Sequence, residues 1–434
     1  MKRVLIVSPH FPPANYPDMH RVRQSLPYFA EFGWEPVTLA VDSTYVEGAK
    51  DESLLATVPP EAEVRRVRAL DPGRTRRVGL GNLALRAIPH LWREGTRLLA
   101  ERDFDLVYFS TTQFPAVVLG PLWRRQFGVP YVVDMQDPWR SDHYLSVPRS
   151  ERPPKFWFSY RLDQVLESVS MQAADGLVAV TEAYVETLRD RYPALAGVPS
   201  SVIPFGVSPR DYVAARDGGS TSVLPERRPD ELRGVYTGVC NTAMLPVLRA
   251  LFAVLAEGRR QRPDLFGPVR LHFVGTSYAP ADRASPAVLP LAREAGVDDA
   301  VTEQTARVPF LSALRLQVES DFLLLPGTID RDYTASKLYP YVFSRRPILA
   351  AFRESSSLVS ILENTRAGVA ATFAESPDEP AFREALLDEW ASLLERLPFT
   401  PDTDWTAFEP YTARETTRQQ TDLFDRVLAR RAQT

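Results

Sequence analysis

From Val4 to Ala371 short apolar runs alternate with helix-length amphipathic segments, and this alternation restricts the fold more than any single motif does. Runs that are apolar throughout suit strands buried on both faces, and such strands separated by helices build parallel sheets with helices on either side. In the first half the pattern predicts strands at Val4–Ser8, Pro36–Val41, Val64–Val67, Leu106–Phe109, Tyr131–Asp134, Leu177–Val180 and Val202–Ile203. Helices are expected over much of Asp18–Phe32, Asn82–Glu101, Pro115–Gln126, Ser159–Gln172 and Glu182–Arg191. The stretch Ala214–Glu231 is polar, rich in Gly, Ser and Pro, and lacks either period, so it reads as a linker. Beyond it strands are expected near Gly234–Tyr236, Leu271–Val274, Phe322–Leu325, Pro347–Ala351 and Val369–Ala371.

The chain has 434 residues, which suits two domains better than one. We expect an α/β architecture with a first domain over 1–213, a linker over 214–231, a second domain over 232–403 and a closing helical segment over 404–434 that packs back. With 51 basic against 55 acidic residues the net charge is −4, which gives no general attraction to nucleic acid. One cysteine, Cys240, excludes an internal disulfide and fits a cytoplasmic setting. No apolar run approaches the roughly 20 residues that span a bilayer.

Loops after parallel strands form the ligand-binding edge of such sheets, so the residues there are the candidates for function. Pro9-His10-Phe11-Pro12-Pro13-Ala14-Asn15 follows the first strand, and Asp18, His20, Arg21 and Arg23 open the next helix. Arginines beside a helix start suit phosphate, which makes Asn15 and Arg21 candidate contacts. Thr111 follows the fourth strand, and Asp134, Gln136, Asp137, Arg140, Asp142 and His143 cluster at the fifth. Asp137 and His143 are the preferred acid–base candidates there, with Thr111, Asp134 and Gln136 as acceptor or phosphate contacts. In the second half Gly238 with Asn241, and Gly275 with Thr276, end two strands in small-residue turns that let backbone amides approach a diphosphate. Lys337 begins a helix, where a cation opposes the helix dipole; a bound phosphate relieves that conflict. Asp330-Arg331-Asp332 matches a short metal-nucleotide pattern too common to carry weight, and no metal is expected.

Taken together, the HFPP turn, the segments YVVDMQDPW and DGLVAVTE, the run VIPFGV, the turn Tyr236-Thr237-Gly238, His272-Phe273-Val274-Gly275 and the block SKLYPYVFSRRPILA resemble the GT-B glycosyltransferases, especially bacterial family 4. The resemblance implies two doubly wound Rossmann-like domains facing a central cleft, with the C-terminal helix crossing back. It implies a nucleotide sugar as substrate, held by the second domain, no separate cofactor, and retention of configuration. Aligning Pro347 with the family's proline puts Asp332 at the first of two donor-binding acids and Pro340 at the second. The basic pair that relatives place after the first strand of this domain has no counterpart within Val239–Met244. Lys337, Arg233, Arg331 and the helix amides are the substitutes this sequence offers. Asp332 joins Asp137 and His143 as a catalytic candidate.

The reading that follows is sugar transfer to a glycan, lipid-linked or small-molecule acceptor in polysaccharide biosynthesis. A binding or scaffold protein that has lost transfer is the alternative, and a nucleotide-sugar epimerase a further one. Two segments are candidates for peripheral membrane contact at the inner membrane face: the arginine-flanked helix after Arg74-Thr75-Arg76-Arg77, and the aromatic stretch Pro153–Tyr160.

Overall fold

In the computed structural model, which describes residues 1–75, 81–140, 142, 145, 148–149, 152, 156–217, 224–277, 279, 283–330 and 336–433, thirteen strands form two sheets. The first sheet uses β1 (Lys2–Val7), β2 (Trp34–Val41), β3 (Glu63–Val67), β4 (Leu106–Ser110), β5 (Tyr131–Met135), β6 (Gly176–Ala179) and β7 (Ser200–Val202). Their order is β3-β2-β1-β4-β5-β6-β7, and every pairing is parallel. Ile6 of β1 stands opposite Thr38 of β2 on one side and Tyr108 of β4 on the other. Val4 to Val7 are wholly buried, as helices on both faces require, and this is why the strand reads as an unbroken apolar run.

Helix Leu83–Glu101 starts where the Asn82 side chain accepts from the Leu85 amide. It buries Leu83, Ala84, Ala87, Leu91, Leu98 and Leu99 in the core, so the apolar face considered above for membrane contact is used in packing; residues 76–80 lie outside the described residues. Helix Ala413–Arg431, capped by Thr412, packs on the opposite side of this sheet through Leu423, Phe424 and Val427. The Phe424 ring meets Trp34 at 5.3 Å and Tyr108 at 5.0 Å, both edge-on. Among the described residues no helix is long and apolar enough to cross a membrane.

The second sheet is built from β8 (Leu232–Thr237), β9 (Val269–Val274), β10 (Val301–Gln304), β11 (Phe322–Pro326), β12 (Ile348–Arg353) and β13 (Gly368–Phe373). It is also parallel, in the order β10-β9-β8-β11-β12-β13. Trp390, on helix Pro380–Arg396, seals one side of its core against Phe266 at 5.6 Å and Phe322 at 6.4 Å. The chain divides into a first unit of Met1–Ser208 with Tyr411–Thr434 and a second of Pro209–Pro410. In each sheet the strand order reverses once, between β1 and β4 in the first and between β8 and β11 in the second. Those two switch points fix where a ligand crevice opens.

Several boundaries differ from expectation, each for a local reason. The helix expected over Asp18–Phe32 is a helix at Met19–Ser25 and a separate 3-10 turn at Phe29–Phe32, because Pro27 lacks the amide that would continue the ladder. Residues Phe114–Val118 form a 3-10 turn before the helix Leu119–Phe127. Ala214–Asp217, read as the start of the linker, close the helix Pro209–Asp217, while 218–223 lie outside the described residues. β10 was not anticipated: Val-Thr-Glu-Gln has one apolar residue, enough for an edge strand that buries one side only.

Phe424→Ala removes a fully buried aromatic anchor of the C-terminal helix and should destabilise the protein by about 3–5 kcal/mol. Urea unfolding followed by circular dichroism measures this, and an unchanged midpoint would show that the helix is not part of the cooperative core.

Candidate functional site

At the β1/β4 switch point of the first unit the carboxylate of Asp18 gathers the loops. Nδ1 of His10, from the turn after β1, lies 3.0 and 3.1 Å from its two oxygens. Thr111 Oγ1 and the Thr112 amide, both just past β4, donate to Oδ2 at 3.0 Å. Burial alone would raise the pKa of Asp18, but the His10 hydrogen bond and charge and the two threonine bonds outweigh it, leaving the value below the ordinary 3.8. An ionised carboxylate only accepts, so the Nδ1–H of His10 donates in this contact. Tyr16 stacks on the imidazole at 3.9 Å, which fixes the ring plane.

A second buried group lies beside it. Nε of Arg21 is 2.9 Å from Oδ2 of Asp134, with side-chain exposures of 3% and 0%. The same oxygen accepts from Ser110 Oγ at 2.7 Å and from Gln136 Nε2 at 2.9 Å. Arg21 also donates to the Ile203 carbonyl at 2.9 Å and the Pro204 carbonyl at 3.3 Å, so one guanidinium ties the ends of β5 and β7 to the helix after β1. Tyr108 lies behind this pair, and burial first, then the charge of Asp134, keeps its phenol protonated.

In the second unit the same edge of the sheet is arranged differently. Gly238, directly after β8, has φ +132°, and a Cβ there would lie 2.1 Å from Cε of Lys337. The lysine side chain thus lies across the bare glycine, with Nζ 5.2 Å from the centre of the Tyr236 ring. It is half-buried and has no hydrogen bond or ion pair to any described residue. Desolvation pulls its pKa below the ordinary 10.5, and nearby Cys240, whose thiol burial pushes up to about 12, counters this only in part. Around it the Thr237 amide donates to Tyr341 Oη at 2.9 Å, and Gln317 Nε2 donates to Thr237 Oγ1 at 2.9 Å. Tyr212 closes the network by donating to the Pro340 carbonyl.

The structure thus brings together Thr111, Asp134, Gln136 and Arg21 in the first unit, and Gly238 with Lys337 in the second. Arg21, read as a phosphate contact, is buried with its guanidinium already engaged, so its place is to position the strand ends. Asn15 is buried in the same unit, its amide on the Ala49 carbonyl at 3.0 Å. Asp137 is exposed at the end of β5, and partial desolvation, then the Asp18 charge, raises its pKa. Asn241 spends its carboxamide oxygen on the Met244 amide at 3.0 Å, capping a 3-10 turn. Thr276 donates to Glu303 at 2.6 Å, and Gly275 takes φ +78° in the turn beside it. Lys337 stands immediately before the helix Leu338–Phe343 rather than within its first turn. His143, Arg331 and Asp332 lie outside the described residues. The sequence reading passed over His10; its partner Asp18, eight residues on across Pro12-Pro13, was the available signal.

Two parallel sheets, each with one switch point, define the class of two-domain α/β proteins that includes the GT-B glycosyltransferases. Residues 20–206 match the family described as glycosyl transferase 4-like domain. No curated protein matches the chain in sequence. Among solved structures, Anabaena HepE in complex with UDP is similar with a TM-score of 0.55 and 13% identity, covering 98% of this chain and 100% of that one. An alpha,alpha-trehalose-phosphate synthase (UDP-forming) from Burkholderia vietnamiensis gives 0.58 at 14% identity, covering 100% and 99%. WaaG, a glycosyltransferase involved in lipopolysaccharide biosynthesis, gives 0.52 at 13%, covering 98% of each chain. At such identities the structural likeness shows the fold, and the fold is GT-B. Residues 20–206 of the first unit are thus similar to a glycosyl transferase 4-like domain, within a chain whose fold is GT-B.

The lowered pKa of Asp18 has a definite sign in stability. Its contribution is present above the unfolded value of 3.8 and is lost as pH falls through the lower folded value. Asp18→Asn should therefore cost about 1–3 kcal/mol at neutral pH, with the gap from the wild type closing in acid. Denaturant titrations across that range measure it, and a gap independent of pH would mean that Asp18 is not the titrating group.

Proposed function

We propose that this protein is a glycosyltransferase that moves a sugar from a nucleoside diphosphate sugar to an acceptor hydroxyl on a glycan, lipid-linked saccharide or small molecule, with retention of configuration. The observation that carries the reading is Lys337: a half-buried ammonium, without an anionic partner among the described residues, lying over Gly238 at the switch point of the second sheet. A cation desolvated without compensation is unfavourable in the free protein. A diphosphate laid across the bare Gly238 backbone would supply the missing charge. HepE, which shares the fold, is described in complex with UDP and with UDP-glucose.

Departure of the nucleoside diphosphate concentrates negative charge on its bridging oxygen. A cation already stripped of water beside that oxygen stabilises the charge without reorganising at the moment of reaction. In this reading Lys337 does that work, aided by Arg331, with Gly238, Asn241, Gly275 and Thr276 shaping the turns around the nucleotide. Asp332 takes the part that relatives give to the first donor-binding acid. Pro340 leaves no side-chain acceptor for the ribose at the second, so the ribose hydroxyls rely on other groups. Asp137, just past β5, and His143 orient the acceptor; retention asks for no strong base there. The sugar nucleotide is substrate and no metal or other cofactor enters the scheme. Polysaccharide assembly from cytoplasmic sugar nucleotides is the setting this reading fits. The Pro340 position favours one competing reading, a protein that binds the nucleotide but no longer transfers the sugar.

Thermal-shift titration with UDP, GDP, ADP and TDP sugars should show stabilisation by one base, since ligand bound only to the folded state raises its stability. Lys337→Met should then weaken the matching diphosphate by about tenfold or more and leave the free nucleoside unchanged. Stabilisation by none of these ligands at millimolar concentration would sink the donor site. Binding without release of nucleoside diphosphate from any acceptor mixture would favour the non-transferring protein.

A further inference from the structure

β8 and β11 flank the switch point of the second sheet, yet they pair only through Gly234 with Phe322 and Val235 with Leu323, although both strands run on, to Thr237 and Pro326. Amides along a parallel strand point alternately to one neighbour and to the other. The Gly238 amide reaches the Val274 carbonyl of β9 at 2.8 Å, so the Thr237 amide turns the other way, into the widening gap beside β11. Its acceptor there is Oη of Tyr341, 2.9 Å away and wholly buried on the helix Leu338–Phe343. Thr237 Oγ1 accepts at 2.9 Å from Nε2 of the buried Gln317, on the helix Phe310–Glu319.

A buried amide without an acceptor costs free energy, so the hydroxyl that fills this gap is held to one place. That place bears on Lys337. The Tyr341 amide donates to the Lys337 carbonyl at 3.1 Å, so the two residues lie one helical turn apart on one side of their segment. Tyr341 meets Thr237, and Lys337 lies over Gly238, the next residue of the chain. Lys337 and Tyr341 are thus matched to Gly238 and Thr237, successive residues at the strand end. Tyr212 holds the same helix by donating to the Pro340 carbonyl, and its hydroxyl is 3.4 Å from Oε1 of Gln317.

We propose that Tyr341, backed by Gln317, is a positioning residue for the donor site: its hydroxyl fixes the register between the turn after β8 and the segment that carries Lys337, so that the ammonium is held over the bare Gly238 backbone before a diphosphate arrives. This role rests on the reading of Lys337 as the cation that meets the diphosphate. Tyr341 itself touches no substrate in the scheme. A phenylalanine in its place keeps the ring that fills the gap and removes the atom that sets the register. Lys337 is then freer to move, and binding of the diphosphate must bear the cost of ordering it.

The test is a double-mutant cycle on the full chain, read by calorimetric titration with UDP, GDP, ADP and TDP and with each free nucleoside, below the thermal transition of every variant. Tyr341→Phe should weaken whichever diphosphate binds the wild type roughly three- to tenfold and leave its nucleoside unchanged. Gln317→Met should act in the same direction by about twofold or more, and it keeps the test open should the tyrosine variant misfold. In the Lys337→Met background neither change should weaken the diphosphate further, because the register then positions no cation. A merely structural role would lower the thermal midpoint and leave the diphosphate affinity of the folded protein as it was. Tyr341→Phe binding as tightly as the wild type, or losing the same factor again in the Lys337→Met background, overturns this role and leaves the donor site standing. A wild type that binds none of the four diphosphates at millimolar concentration, or a Lys337→Met that binds like the wild type, removes the donor reading and this role with it.

Discussion

Charge withdrawn from water at the carboxyl ends of parallel strands is the constraint that shapes both units. The strand order reverses at β1/β4 and again at β8/β11, and at each reversal the flanking loops splay apart and leave a crevice that the chain must fill or leave for a ligand. In the first unit the buried charges are answered by the protein itself. Asp18 takes His10, Thr111 and Thr112, and Arg21 takes Asp134 together with two carbonyls. Removing one partner from such a group strands the other in a low dielectric, so these contacts define one arrangement of the loops. In the second unit Lys337 has no such answer among the described residues. The difference is between loops whose charges are answered within the protein and a lysine with no counter-charge among the described residues.

The two situations have different mechanical consequences. Arg21 reaches from the helix after β1 to the ends of β5 and β7, so the first unit's strand ends are tied to one another before any ligand arrives. The His10 ring is held in one plane by Asp18 and Tyr16, so its orientation is set by the fold rather than by solvent. Around Lys337 the order comes from uncharged bonds through Thr237, Tyr341, Gln317 and Tyr212. These hold the glycine turn without neutralising the ammonium.

Much of this fold was legible because burial on both faces leaves an unmistakable trace: Val4–Val7 and Phe322–Leu325 are apolar at every position and are strands. β10 was invisible because an edge strand needs only one covered side. Lys337 was legible as a cation where a helix dipole disfavours it, but nothing local reveals that it lies over Gly238 and Tyr236, about a hundred residues upstream. Arg21 was visible as a charge at a helix start; that Asp134 and the carbonyls after β7 claim it depends on tertiary pairing. The aromatic run at Phe156–Phe158 stood out, yet periodicity does not say which face of the helix Phe156–Met171 turns inward, and only the ion pair of Glu167 with Arg191 settles that Glu167 does.

Proton uptake on nucleotide binding tests most directly whether Lys337 awaits a diphosphate. Its pKa is depressed below 10.5 in the free protein, and an adjacent diphosphate should raise it again. Calorimetric titration of the matching nucleoside diphosphate in buffers of different ionisation enthalpy, above about pH 8 where the terminal phosphate is fully ionised, reads this exchange. The account predicts uptake of protons by the wild type that grows as pH rises toward the depressed value, and none in Lys337→Met. Binding with the same enthalpy in every buffer across that range, or uptake that survives in the variant, would contradict it.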